Sequence, residues 1–233
     1  MANLKSDQSE GQSTLSYYNN NAGQFVSGTV DVEFQETQER FLKYLDRGSR
    51  ILDLGCGSGR DTKYFLDRGY QAAATDGSEE LCRIASDYTG IPVACRLFQE
   101  LDEIQEYHGI WACSSILHLN RAELADVMGK IRIALRPGGV LYTSFKYGES
   151  EGLRGGRYFT DMTEKTLETL LVEVPGYEVR ELWVTPDVRP GRETEFWLNV
   201  ILQRVDAGDG VRDAGDGVPQ TGHREGEVHH ETF

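Results

Sequence analysis

The chain has 233 residues, 39% of them hydrophobic, and a formal net charge of −14, enough for one domain with a sizeable core and too acidic to favour a phosphate backbone as partner. No apolar run reaches the length of a membrane span, and the polar start MANLKSDQSEGQST does not read as a secretory signal. Cys56, Cys82, Cys95 and Cys113 contain no C-x-x-C pair, which argues against a disulfide framework or a metal site and for reduced thiols in a cytoplasmic protein.

Residues 1–14 are poor in apolar side chains and are expected to be disordered. A helix is predicted over 35–46, with Phe34, Gln38, Phe41 and Leu45 near one face. Strand 50–54 leads through three glycines into a helix over 60–68. Strand 71–75, helix 79–88, strand 92–98 and strand 109–114 follow. A helix from Arg121 to Leu135 ends at Pro137-Gly138-Gly139, and strand 139–146 comes next. A glycine-rich loop over 146–161 separates it from a helix starting near Thr163, and extended segments 177–185 and 195–204 close the domain.

This alternation predicts an α/β fold: a Rossmann-like, doubly wound sheet of seven strands, mostly parallel, with one antiparallel strand. The domain is placed at 15–205. Residues 206–233 repeat DAGDGV, carry a net charge of −5 and contain a single aromatic, so they are expected to form a disordered acidic tail in which His229-His230 is tail composition, not a metal site.

The segment ILDLGCGSGR at 51–60 carries the most chemistry. Gly55, Gly57 and Gly59 let main-chain N–H groups approach a ligand with no Cβ in the way. A dinucleotide fingerprint would need glycine at position 60, where this chain has Arg60, so NAD and FAD are disfavoured. Asp76 lies 23 residues beyond Asp53 at the end of the second strand, where a carboxylate accepts from ribose hydroxyls. In open α/β sheets ligands sit outside the carboxyl ends of the strands, which adds Gly77-Ser78, Phe98-Gln99, Cys113-Ser114 and His118 to the candidates.

These residues resemble motif I of the class I S-adenosylmethionine-dependent methyltransferases. GCGSGRDTKYFLDRGY is particularly similar to the tellurite-resistance and thiopurine type, and LRPGGVLYTSFK resembles the superfamily's turn into strand five. Tyr17-Tyr18, with Ala22 and Phe25, resembles an entry motif in which a tyrosine closes over the cofactor. The resemblance implies S-adenosyl-L-methionine held by Tyr17, Asp53, Gly55, Cys56, Gly57, Gly59, Arg60, Asp61, Asp76, Gly77, Ser78, Phe98, Gln99, Cys113 and Ser114. Within that set, Asp53 is expected to hold the glycine-loop backbone or a water, Arg60 to pair with the cofactor carboxylate, and Gln99 to accept from the adenine amino group.

The function implied is methyl transfer to a small, polar or anionic acceptor. Tyr18, Lys146, Arg157, Tyr158 and Arg189 are the candidate acceptor-binding residues, and His118 is the candidate base. Arg154 and Arg192 lie in the same loops. A tRNA base or another macromolecule as acceptor, and a non-catalytic cofactor-binding module, are the alternatives.

Overall fold

Four consecutive residues of the first strand, Ile51 to Leu54, are buried, as expected of a parallel strand covered on both faces. The computed structural model describes residues 3–189 and 191–206, so the DAGDGV repeats and His229-His230 lie outside the described residues. In chain order the sheet strands are β1 (Arg50–Leu54), β2 (Gln71–Asp76), β3 (Val93–Cys95), β4 (Tyr107–Ala112) and β5 (Leu135–Lys146). A hairpin of β6 (Glu151–Arg154) and β7 (Arg157–Thr160) follows, then β8 (Tyr177–Pro186) and β9 (Phe196–Arg204). Six helices connect them: α1 (Asn3–Ser27), α2 (Gln35–Leu42), α3 (Arg60–Asp67), α4 (Glu79–Thr89), α5 (Arg121–Ala134) and α6 (Glu164–Glu173).

The seven-stranded sheet has the order β3-β2-β1-β4-β5-β9-β8. Strands β1 to β5 pair in parallel, and β9 runs antiparallel to both β5 and β8. The single reversed strand is therefore inserted between β5 and the edge, because the short β8–β9 connection forces antiparallel pairing while β9 takes the inner position. The order reverses direction between β1 and β4, which places the topological switch point at their carboxyl ends.

An aromatic cluster fills one face. Trp111 stacks on Tyr142 with ring centroids 4.0 Å apart, and Phe41 and Phe65 pack edge-on or tilted around it. Gln38 and Phe41 of α2 are buried and Phe34 and Leu45 pack on this cluster, as their spacing predicts. The other face buries Ile110, Ala112, Leu141 and Phe145 against Leu124, Val127 and Ile131 of α5.

Three local expectations differ from the structure. Residues 3–14, expected to lack order, form the first half of α1, and Thr14 is buried with its Oγ1 accepting the Tyr158 N–H at 3.0 Å. This docking is polar and tertiary, so apolar content does not reveal it. The loop at 146–161 contains the β6–β7 hairpin, closed by Gly155-Gly156 at φ +56° and +81°, the conformation of a type I′ turn. The third strand stops at Cys95, because Phe98–Glu100 forms a 3₁₀ turn in which Glu100 Oε2 accepts the Leu97 N–H at 2.8 Å.

Candidate active site

The glycine loop leaves β1 and is pinned to the end of β2. The N–H groups of Gly55 and Cys56 donate to the Thr75 carbonyl at 2.8 and 2.9 Å. Gly55 sits at φ +82°, and a Cβ there would lie 2.5 Å from Ser115 Cβ. At Gly57, φ +55°, a Cβ would meet the Phe25 ring at 2.9 Å. Both positions thus require glycine sterically and conformationally. Gly59 lies behind the loop, packing α3 on α4.

Asp76 links this loop to the next. Its carboxylate accepts the Gly57 and Ser78 N–H groups, each at 2.9 Å. Burial pushes the Asp76 carboxyl upward, and these amide bonds oppose the shift. Ser78 caps α4 by accepting the Leu81 N–H at 3.3 Å and donates to Asn19 Oδ1 of α1 at 2.7 Å, so its role is structural and does not extend to the cavity wall.

A cavity of about 590 Å³ opens at the carboxyl ends of the strands, beneath α1. Gly55, Cys56, Gly57, Arg60, Asp61, Asp76, Gly77, Phe98, Gln99, Cys113 and Ser114 all reach its wall. So do Tyr18, His118, Lys146, Arg157 and Arg189, whereas Tyr17, Asp53, Gly59, Ser78 and Tyr158 do not. Leu15, Glu123, Ser144 and Trp197, which the sequence does not single out, also line the cavity, as do Phe25 of the tyrosine motif and Phe159 of the glycine-rich loop. Only tertiary contact brings these together; the alternation RYFT in β7 was a usable signal for Phe159 pointing opposite to Tyr158.

The two tyrosines are arranged differently from expectation. Tyr18 faces the cavity, while Tyr17 points away and receives the Arg157 guanidinium over its ring at 4.5 Å. Consecutive helical residues diverge by about 100°, which turns the two rings to different sides.

Asp53 lies behind the loop, where it accepts a hydrogen bond from Thr62 Oγ1 at 2.5 Å; it does not hold a glycine-loop amide. Burial, reinforced by Asp61, raises its pKa to about 8, so it is protonated at neutral pH. An unfolded aspartate ionises near about 4, so raising the pH from there to about 8 favours unfolding. We expect wild-type stability to fall by about 1.4 kcal/mol per pH unit in this window from this group. Asp53→Asn, which keeps an oxygen for Thr62, should flatten that slope in denaturant titrations at pH 5 and pH 8; an unchanged slope would refute the assignment.

Arg60 donates to Asp61 Oδ1 and Oδ2 at 2.8 and 2.9 Å, and its guanidinium sits 4.7 Å from the Phe34 ring centroid. Asp61 also accepts from Gln38 Nε2 at 2.6 Å and Trp111 Nε1 at 2.8 Å. Burial opposes ionisation of Asp61, but Arg60, Trp111 and Gln38 outweigh it and hold the carboxyl below its ordinary value. Arg60 therefore faces the cavity already neutralised, not as an open partner for a ligand carboxylate.

On the far side, Gln99 Nε2 donates to Glu123 Oε1 at 3.4 Å, which directs the amide oxygen elsewhere. His118 is half-buried and held between two oxygens. Its Nδ1 lies 2.6 Å from the Tyr158 carbonyl and must donate to it, which leaves Nε2 to accept the Tyr18 hydroxyl at 2.8 Å. Burial pulls the His118 pKa down to about 4, with Arg157 and Arg154 contributing, so the ring is neutral at physiological pH. Tyr158 contributes its main chain to this site; its hydroxyl donates to Glu151 at 2.9 Å.

Residues 51–139 match the family model for a methyltransferase domain. No protein of curated function matches the sequence. Among solved structures, the Burkholderia thailandensis 1,6-didemethyltoxoflavin-N1-methyltransferase aligns with a TM-score of 0.71 and 21% identity over 86% of this chain and 91% of its own. The N-methyltransferase NodS of Bradyrhizobium japonicum aligns at 0.62 and 15%, over 81% and 98% of the two chains. The [4+2]-cyclase SpnF aligns at 0.59 and 17%, over 73% and 80%. Residues 51–139 thus resemble a methyltransferase domain by sequence, in a chain whose sheet shares the fold of solved methyltransferases.

Proposed function

We propose that the protein is an S-adenosyl-L-methionine-dependent methyltransferase acting on a small molecule. The observation that carries this reading is the Gly55–Gly57 loop tied through Asp76 to the end of β2, a cradle of bare amides beside a buried carboxylate. These residues would hold the cofactor: the loop its amino-acid end, Asp76 the ribose hydroxyls, and Gln99 with Phe98 the adenine. When bound, the cofactor supplies a sulfonium methyl group, which passes to an acceptor lone pair while the carbon–sulfur bonding pair remains on sulfur.

The chain's own residues then have three tasks. The loop and Asp76 orient the donor, α1 with Leu15, Tyr18 and Phe25 excludes water, and the wall formed by His118, Arg157, Phe159 and Trp197 positions the acceptor. Tyr17 rests outside the wall and supports Arg157. The acidic balance favours a small molecule over a tRNA base, and a cytoplasmic location is part of the proposal.

Titration calorimetry with S-adenosylhomocysteine and with NAD tests the cofactor: binding of the first and not the second is expected, and the reverse would overturn the reading. The cyclase among the structural neighbours favours one competing reading, a cofactor-binding fold turned to other chemistry. Incubation with methyl-labelled cofactor and fractionated metabolite extracts separates the two, since only a methyltransferase moves label into an acceptor.

A further inference from the structure

The basic side chains around the acceptor end of the cavity are not equivalent. Lys146 pairs with Glu195, Arg189 with Asp187, Arg154 with Asp161, and Arg192 with Glu195 at 3.6 Å. Arg157 differs from all four. Among the described residues it has no carboxylate partner; its Nε is buried without a hydrogen-bond acceptor, and Nη1 reaches only the Tyr18 hydroxyl, at 3.5 Å.

What surrounds it is aromatic. The guanidinium carbon lies 4.5 Å from the Tyr17 ring centroid, 5.1 Å from Phe159 and 5.8 Å from Tyr18. Ring faces attract a cation but accept no strong N–H hydrogen bond, so they hold the charge in place and leave its donors unspent. The position follows from the fold: Arg157 is the first residue after the Gly155-Gly156 turn, and the hairpin is anchored to α1 at Thr14. Tyr18 packs on Phe25 at 5.2 Å, and Phe25 bears on Gly57, so this cation shares a wall with the glycine loop.

We propose that Arg157 selects the methyl acceptor, and that the acceptor is a flat monoanion with delocalised charge, such as a phenolate, an enolate or a deprotonated nitrogen heterocycle. The inference rests on the methyltransferase reading above. Flatness follows from the walls, where Phe25, Phe159 and Trp197 border the cavity. A single charge follows from the electrostatics, because Lys146 and Arg189 already hold carboxylates of their own and the Asp76 carboxylate, with no cationic partner among the described residues, faces the same space. A phosphate dianion would meet a guanidinium that carries only one charge, with the Asp76 carboxylate in the same cavity.

The state of His118 fits this arrangement. Lowered to about 4, it is too weak a base to strip a phenol or a heterocyclic N–H. Arg157 stabilises an acceptor that arrives ionised, and His118 acts as a positioning residue that fixes the Tyr18 hydroxyl.

The test uses 7-hydroxycoumarin, whose phenol and phenolate absorb differently, titrated against protein saturated with S-adenosylhomocysteine. Wild type is expected to bind the phenolate about 10-fold more tightly than the phenol, read as a fall of about one unit in the bound probe's pKa. Arg157→Gln should abolish the preference and Arg157→Lys retain part of it, while the exposed Arg83→Ala keeps it whole. Phenyl phosphate should displace the probe poorly. Absence of phenolate preference in the wild type, equal preference in Arg157→Gln, or tight phenyl phosphate binding would overturn the proposal. Calorimetry on the same sample separates the failures: no S-adenosylhomocysteine binding defeats the methyltransferase reading, whereas normal binding without phenolate preference defeats only the role of Arg157.

Discussion

Asp76→Asn should weaken S-adenosylhomocysteine binding on the order of 100-fold in titration calorimetry. The carboxylate is expected to accept both ribose hydroxyls, and hydrogen bonds to a charged group contribute about 1.5–3 kcal/mol each. Losing part of two such bonds gives about 3 kcal/mol, which corresponds to the stated factor. The variant has a second effect, because an amide nitrogen would replace one of the two oxygens that now accept from Gly57 and Ser78 at 2.9 Å. One of those N–H groups then loses its acceptor and the loop loosens. Glycine-loop amides should accordingly exchange faster with solvent in hydrogen-exchange measurements. Wild-type affinity in Asp76→Asn would remove this carboxylate from the binding site.

The largest effect on folding is expected at Asp61. Its two oxygens take Arg60, Gln38 and Trp111, and it is almost fully buried. Asp61→Ala would leave the Arg60 guanidinium buried without its counter-charge and orphan the Gln38 and Trp111 donors. Removing one partner of a buried pair costs about 3–5 kcal/mol. Urea denaturation should therefore show a loss of that order, and Asp61→Asn a smaller one, since its oxygen can still accept from Trp111. A double variant, Arg60→Met with Asp61→Leu, removes both charges and should recover much of the loss. If Asp61→Ala unfolds at the wild-type urea concentration, the buried pair is not what holds α2 and α3 to β4.

The cofactor side of the site was legible because it is local. Gly55, Gly57 and Asp76 occupy the ends of consecutive strands, and the strand-end rule brings such residues to one edge whatever surrounds them. Asp53 and Arg60 belong to the same motif, yet their partners, Thr62 and Asp61, turn them into structural groups. A motif fixes where the backbone goes; it does not reveal which polar atoms are already satisfied. The acceptor side was harder for the same reason. Lys146, Arg157 and Arg189 look alike as loop cations, and the carboxylates that neutralise two of them, Glu195 and Asp187, belong to a connection far along the chain from Lys146.

Strand–helix alternation, the glycine spacing and the aspartate at the end of β2 were set by the sequence alone, since periodicity and glycine stereochemistry act over a few residues. The insertion of β9 between β5 and β8, the docking of α1 over the cavity and the choice between Tyr17 and Tyr18 were decided only in three dimensions. Each depends on which surfaces meet across a hundred or more residues, and on which charges meet a partner there. That pairing, a property of the folded contact set, left Arg157, among the described residues, as a cavity-lining guanidinium without a carboxylate.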